Sequence, residues 1–149
     1  MALDIHRYQC FSRDDIDLDI LGHIRKSAVD LRVEADEIIN GCGYQVYCGE
    51  WSLGLDLRVV SLWAEGPFNH ALEGMDEFQM ASALRGYAAA QLLTFERYAA
   101  WFFWTYRTET TPEWSYRDCV DAGIIADLGQ PEQMAGIRTI LERARNRAA

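Results

Sequence analysis

The stretch Tyr44-Gln45-Val46-Tyr47-Cys48-Gly49-Glu50-Trp51-Ser52 decides how the rest of the chain is read. Tyr44 to Gly49 is a short β-prone run, and Glu50-Trp51-Ser52 sits at its C-terminal end, where the chain must turn. Working outward toward the N-terminus, apolar residues recur at three- and four-residue steps between Ile16 and Ile39: Ile20, Ile24, Ala28, Leu31, Ala35, Ile38 and Ile39. That spacing lines one face of a helix, and Asn40-Gly41 is its expected left-handed stop. Before the helix, Ala2 to Phe11 mixes apolar and polar residues in the manner of a strand. Toward the C-terminus, Leu53 to Asp76 is irregular, with Gly54, Gly66, Pro67 and Gly74, and is too long for a simple turn. A second helical pattern follows from Glu77 to Tyr98, carried by Phe78, Ala81, Leu84, Ala88, Leu92 and Phe95. An aromatic strand, Ala100 to Tyr106, an aromatic loop, Arg107 to Tyr116, and a terminal helix, Glu132 to Arg147, complete the reading.

Strands that alternate with helices imply parallel pairing through crossovers, which fits either a β/α-barrel or a doubly wound sheet. A closed (β/α)8 TIM barrel needs eight strands and about 250 residues. The 149 residues supply about three β/α units in a single α/β domain, 1–149, which fits either a partial barrel or part of a doubly wound sheet.

Composition narrows the function. Half of the residues are apolar and a quarter are charged, as in an ordinary folded domain. The formal charge of -9 argues against binding to phosphate backbones or anionic membranes, which attract clusters of Lys and Arg. No apolar run approaches the ~20 residues of a membrane span. The first residues carry no visible export signal, so the expected location is the cytoplasm. Cys10, Cys42, Cys48 and Cys119 form no CxxC pair and have no His at zinc-site spacing. They are read as reduced, buried thiols, with a Cys42–Cys48 disulfide as the alternative, and no metal or other cofactor is expected.

Polar and aromatic residues gather at the predicted strand ends: His6, Tyr8 and Phe11 on the first, Glu50 and Trp51 on the second, Trp104 with Arg107 and Glu109 on the third. In β/α-barrels that rim is where active sites are built. A carboxylate flanked there by Trp, Tyr and His suits sugar chemistry, since aromatic faces stack on pyranose C–H surfaces while the carboxylate meets an oxocarbenium-like carbon. Of the Trp101-Phe102-Phe103-Trp104 run, alternate members must point opposite ways. If Trp104 faces the barrel mouth, Phe102 shares its side while Trp101 and Phe103 pack on helices. Trp51, Trp63 and Trp114 are read as either packing residues or cleft walls. His23 and His70 are assigned no site role, and the acidic cluster Asp14, Asp15, Asp17 and Asp19 reads as a helix start, where negative charge is favourable.

Three segments resemble the glucanase branch of glycoside hydrolase family five, which includes exo-β-1,3-glucosidases and related bacterial proteins. LDIHRYQCF looks like that family's strand-six motif, and the resemblance places His6 and Tyr8 in the substrate-binding site with Phe11 at its entrance. YCGEWSLGL is similar to the strand-seven motif that presents the catalytic nucleophile, which falls on Glu50. WFFWTYRTETTPEWSYRDCVDAGII looks like the strand-eight segment whose Trp floors the sugar site, here Trp104. The resemblance covers residues 2–128 and leaves 129–149 as a terminal helix or tail. It implies a partial (β/α)8 TIM barrel of about three β/α units, the C-terminal portion of a retaining β-glucan hydrolase, strands six to eight, working without metal or cofactor.

In such enzymes the nucleophile needs a second carboxylic acid about 5–5.5 Å away. The family carries it directly after an Asn on strand four, whereas Asn40, Asn69 and Asn146 precede Gly, His and Arg here. The acid/base residue is therefore missing from this chain. Two expectations follow: a portion of a longer glucan hydrolase, or an inactive remnant that binds sugar or self-associates through open barrel edges.

Overall fold

A computed structural model describes residues 1–55, 70–109 and 111–127. Trp63, most of the irregular segment after Leu55, and the expected terminal helix at Glu132 to Arg147 lie outside the described residues. The elements run β1 (Ala2–Arg7), α1 (Arg13–Ile16), α2 (Ile20–Arg25), a wide π turn (Lys26–Asp30), α3 (Leu31–Cys42), β2 (Gln45–Trp51), α4 (Glu77–Phe95), β3 (Ala100–Phe103) and α5 (Tyr116–Asp121), with single 3-10 turns at His70–Leu72 and Pro112–Trp114. The three strands form one parallel sheet in the order β1-β2-β3. The alternation of strand and helix legible in the sequence is thus the alternation of the fold, and the parallel pairing it implied is present.

Helices cover one side of this sheet. Val46, Cys48 and Trp51 of β2 are buried there in one core with Ala35, Tyr87, Ala88, Phe95 and Tyr98. Trp51 is the hub: its ring meets Phe95 at 5.4 Å, Trp101 at 5.5 Å and Phe103 at 4.8 Å, each edge-on. That geometry sets positive ring edges against negative faces. Trp101 and Phe103 pack on the core as their alternation predicts, while Phe102 and Trp104 stay 57% and 52% exposed. Trp51, left open between packing and cleft wall, is a packing residue.

The helical run after β1 differs from its expected bounds. In place of one helix from Ile16 to Ile39, Ser12 caps α1 and Asp19 caps α2, its carboxylate accepting from Gly22 N at 2.7 Å. The acidic cluster, expected as a single solvated helix start, serves two: Asp14 and Asp15 lie in the first turn of α1 and Asp19 caps α2, while Asp15 is buried and paired with Lys26. The far end passes Asn40-Gly41 and stops at Gly43, which takes the left-handed conformation at φ 66°. Two glycines offered a stop, and the chain uses the one that leaves only Tyr44 before β2.

The wide π turn has a visible cause. Ser27, fully buried, sits in a polar knot: Gln9 Nε2 donates to its Oγ at 2.6 Å, that hydroxyl donates to His23 O at 2.9 Å, and Thr94 Oγ1 of α4 donates to its carbonyl at 2.6 Å. An outside donor on a helix carbonyl competes with the intrahelical ladder and loosens the turn. The knot also explains why β1 stops at Arg7 instead of running to Phe11, since Gln9 turns inward to join it. His23 is a core histidine, as read. The strand read as Ala100 to Tyr106 ends at Phe103, because Thr105 leaves the sheet to pair with Trp114 O at 2.6 Å and Tyr116 N at 2.8 Å.

Cys10, Cys48 and Cys119 are buried thiols and Cys42 is half-buried, with no disulfide among them. Among the described residues no helix is long and apolar enough to cross a membrane.

The hub position of Trp51 sets a prediction. Trp51→Ala should lower unfolding stability by about 3–5 kcal/mol, the usual cost of deleting a buried aromatic. Phe102→Ala on the open side should stay within about 0.5 kcal/mol. Urea denaturation followed by circular dichroism checks the contrast, and equal losses would contradict the sidedness of the sheet.

Candidate functional site

Side chains along a regular strand alternate between faces, so an unbroken β2 would put Glu50 on the same side as Val46 and Cys48, under the helices. The structure avoids this with one extra residue. On β1 the register passes from Ile5 opposite Cys48 to His6 opposite Glu50, one step on β1 for two on β2. On β3 it passes from Trp101 opposite Cys48 to Phe103 opposite Trp51, two steps for three. Gly49 is the residue without a partner, and the bulge it makes turns Glu50 to the open face while sending Trp51 into the core.

Glu50 is therefore the penultimate residue of β2, on the open face and near the C-terminal end of the sheet. Tyr8, just past β1, donates its hydroxyl to Glu50 Oε2 at 2.7 Å. The His6 imidazole brings Nδ1 to 3.3 Å from that same oxygen. On its other edge, His6 Nε2 lies 3.4 Å from Asp4 Oδ2. The Glu50 side chain keeps 28% of its surface open. The sequence-predicted His6, Tyr8 and Glu50 thus meet directly.

Phe11 and Trp114 build the flank. Phe11 meets Tyr8 edge-on at 5.1 Å and Trp114 stacks on Tyr8 at 5.4 Å with 27° between the planes. Trp114 is buried, and its ring lies so close over Gly54 that any Cβ there would meet it at 2.6 Å. It packs behind Tyr8 and fixes the direction in which that phenol points. Trp104 joins through its backbone, its N–H donating to Trp51 O at 2.8 Å, and its ring is left half-exposed at the third strand end. The Trp104–Thr105 peptide is cis. Asp4 and Trp114 are the residues of this constellation that sequence reasoning passed over or left undecided. Asp4 had a legible signal: it lies two residues before His6, and so on the same face of β1.

The electrostatics follow the geometry. Burial, and then the hydrogen bond to Glu50, push the Tyr8 phenol far above its ordinary value, so it stays a donor. Burial pushes the Cys48 thiol up to about 12, which leaves the sulfur under Glu50 unreactive. Burial also raises the Glu113 carboxyl above the usual range. Among the described residues no group of three His, Cys, Asp or Glu is arranged to hold a metal ion. Chemically, the site offers one carboxylate with a tyrosine donor and a histidine on a single oxygen, beside aromatic rings.

No protein-family model matches the sequence. The chain is similar to glucan 1,3-beta-glucosidases. One from Blumeria graminis is 29% identical over 141 residues, which cover 84% of this chain and 33% of that protein. A probable glucan 1,3-beta-glucosidase A of Aspergillus clavatus is 29% identical over 144 residues, 83% of this chain and 33% of its own length. A glucan 1,3-beta-glucosidase of Candida oleophila is 28% identical over 146 residues, 84% of this chain and 32% of the relative. The chain spans about a third of the length of the curated relatives it matches. A relationship to glycoside hydrolases is supported on this ground.

The shift at Tyr8 predicts a pH dependence. A proton held more tightly in the folded state stabilises it fully below the unfolded phenol value near ~10, and that stability is lost as pH rises beyond it. Tyr8→Phe should flatten the alkaline decline of unfolding stability between neutral and strongly alkaline pH. Denaturation series at several pH values measure this, and an unchanged slope would contradict the raised Tyr8 phenol.

Proposed function

We propose that this chain is the strand-six-to-eight portion of a retaining β-glucan hydrolase of the glycoside hydrolase family five type, with the three strands as part of a (β/α)8 barrel. Glu50 is its nucleophile. The observation that carries the reading is the meeting of three motif residues on the open face: Tyr8 donates to Glu50 Oε2 at 2.7 Å, and His6 Nδ1 lies 3.3 Å from the same oxygen. The similarity to glucan 1,3-beta-glucosidases supports a β-glucan or β-glucoside as the substrate.

The implied chemistry is double displacement. Glu50 Oε1 attacks the anomeric carbon and forms a glycosyl ester as the bond to the leaving oxygen breaks, while a second carboxylic acid gives that oxygen its proton. The same group then takes a proton from water, which cleaves the ester. Tyr8 acts on the nucleophile: its hydroxyl holds the carboxylate by a hydrogen bond, and the His6 ring stays beside Oε2 when the ester forms. Phe11 and Trp104 supply apolar faces for the sugar ring. The acid/base group comes from strand four of the complete enzyme. Its absence from this chain lowers the rate of ordinary substrates by about 10²–10⁴-fold.

An aryl β-glucoside with an activated leaving group largely removes the need for that acid. Slow hydrolysis is expected from the purified chain, and Glu50→Gln should abolish it. Turnover unchanged by Glu50→Gln would sink the assignment. A folded, monodisperse sample with no turnover would favour the inactive, self-associating remnant.

A further inference from the structure

Asp4 makes one polar contact among the described residues, to His6 Nε2 at 3.4 Å with hydrogen-bond geometry. It is also the group that makes Gly49 necessary. A Cβ at Gly49 would lie 2.7 Å from Asp4 Cγ and closer still to its Oδ1, so the residue that forms the bulge is also the seat of this carboxylate. One face of the sheet therefore carries a row in contact order: Gly49, Asp4, His6, Glu50, Tyr8. Asp4 and Glu50 face opposite edges of a single imidazole.

A neutral imidazole has one N–H to give and one lone pair to offer, and the partner of one nitrogen sets the role of the other. Glu50 Oε2 already accepts the Tyr8 hydroxyl at the shorter distance of 2.7 Å, whereas Asp4 has no donor other than His6 among the described residues. We propose that Asp4 is a positioning residue for the Glu50 site: seated on Gly49, it holds the proton of His6 on Nε2 and so turns the unprotonated Nδ1 toward Glu50. In this arrangement neutral His6 withholds a proton from the carboxylate. Tyr8 is left as the side-chain donor on Oε2, and Glu50 keeps more of its charge for attack, because each added donor stabilises the carboxylate and blunts it as a nucleophile. The inference rests on Glu50 being the nucleophile for its consequence, but its structural content is a tautomer, which is measured without turnover.

Long-range 1H–15N correlation spectra of the imidazoles read that tautomer directly. The full chain is compared with Asp4→Ala, Asp4→Asn and Gly49→Ala at a pH above ~8, where a free imidazole is neutral. His6 is assigned by the signals lost in His6→Gln. The wild-type chain should show Nε2 as the protonated nitrogen and Nδ1 as the bare one. Asp4→Ala should exchange or average the two resonances. Asp4→Asn, which keeps an acceptor oxygen, should retain the wild-type pattern. Gly49→Ala should behave as Asp4→Ala although Asp4 is intact, because the new methyl takes its seat. Asp4 is exposed, so its replacement is expected to leave the fold in place and decides the matter even if Gly49→Ala does not fold. A wild-type proton on Nδ1, or a His6 pattern indifferent to Asp4→Ala, overturns the proposal. Loss of the Glu50 assignment would show instead as hydrolysis unchanged by Glu50→Gln, with the tautomer result intact.

Discussion

Among the described residues helices cover one side of the sheet and leave the other open, so β2 has to bury its apolar side chains on one side and keep Glu50 on the other. Gly49 is what lets the strand satisfy both needs at once. Val46 and Cys48 face the helices at 3% and 0% exposure, and the added residue then lets Trp51, also at 0%, do the same while Glu50 faces the other way. Without it, an ionised carboxylate would be pressed into an aromatic core, which costs several kcal/mol in the absence of a partner. The core would also lose the ring that Phe95, Trp101 and Phe103 surround. Stability and chemistry are thus divided between two consecutive residues by one turn of backbone.

Around that division the fold spends polar groups on rigidity. The Gln9–Ser27–Thr94 knot ties the end of β1 to the helices at the point where the chain leaves the sheet. Arg7 Nη2 donates to Glu34 of α3 at 2.6 Å on the helix side of the same strand. Tyr8 lies between these anchors, backed by Trp114, and its hydroxyl can reach Glu50 without a search through rotamers. A carboxylate held this way has little conformational freedom left to lose, which is the sense in which a site is preorganised.

Much of this was legible in the sequence. The 3.6-residue period of Ile20, Ile24, Leu31 and Ala35, and the β-prone runs around Leu3, Val46 and Phe102, were enough to give alternating elements and parallel pairing. His6, Tyr8 and Glu50 were identified from their motifs, and the structure brings them within contact. What escaped depends on tertiary context. The π turn exists because Thr94, 67 residues away, bonds the Ser27 carbonyl. The bulge left only a glycine inside a strand as its trace, and a glycine there has several meanings. The choice of Gly43 over Gly41 as helix stop was fixed by where β2 had to begin. Asp4 escaped notice because its significance lies in what sits across from it.

We propose that the bulge presents Glu50 as a nucleophile on the open face. The most direct measurement is covalent trapping with a 2-fluoro-β-glucoside bearing an activated leaving group, followed by peptide mapping of the labelled chain by mass spectrometry. A single glycosyl group on the peptide containing Glu50, absent after Glu50→Gln, is the predicted result. A label on another carboxylate, or a folded chain that takes no label, would contradict it.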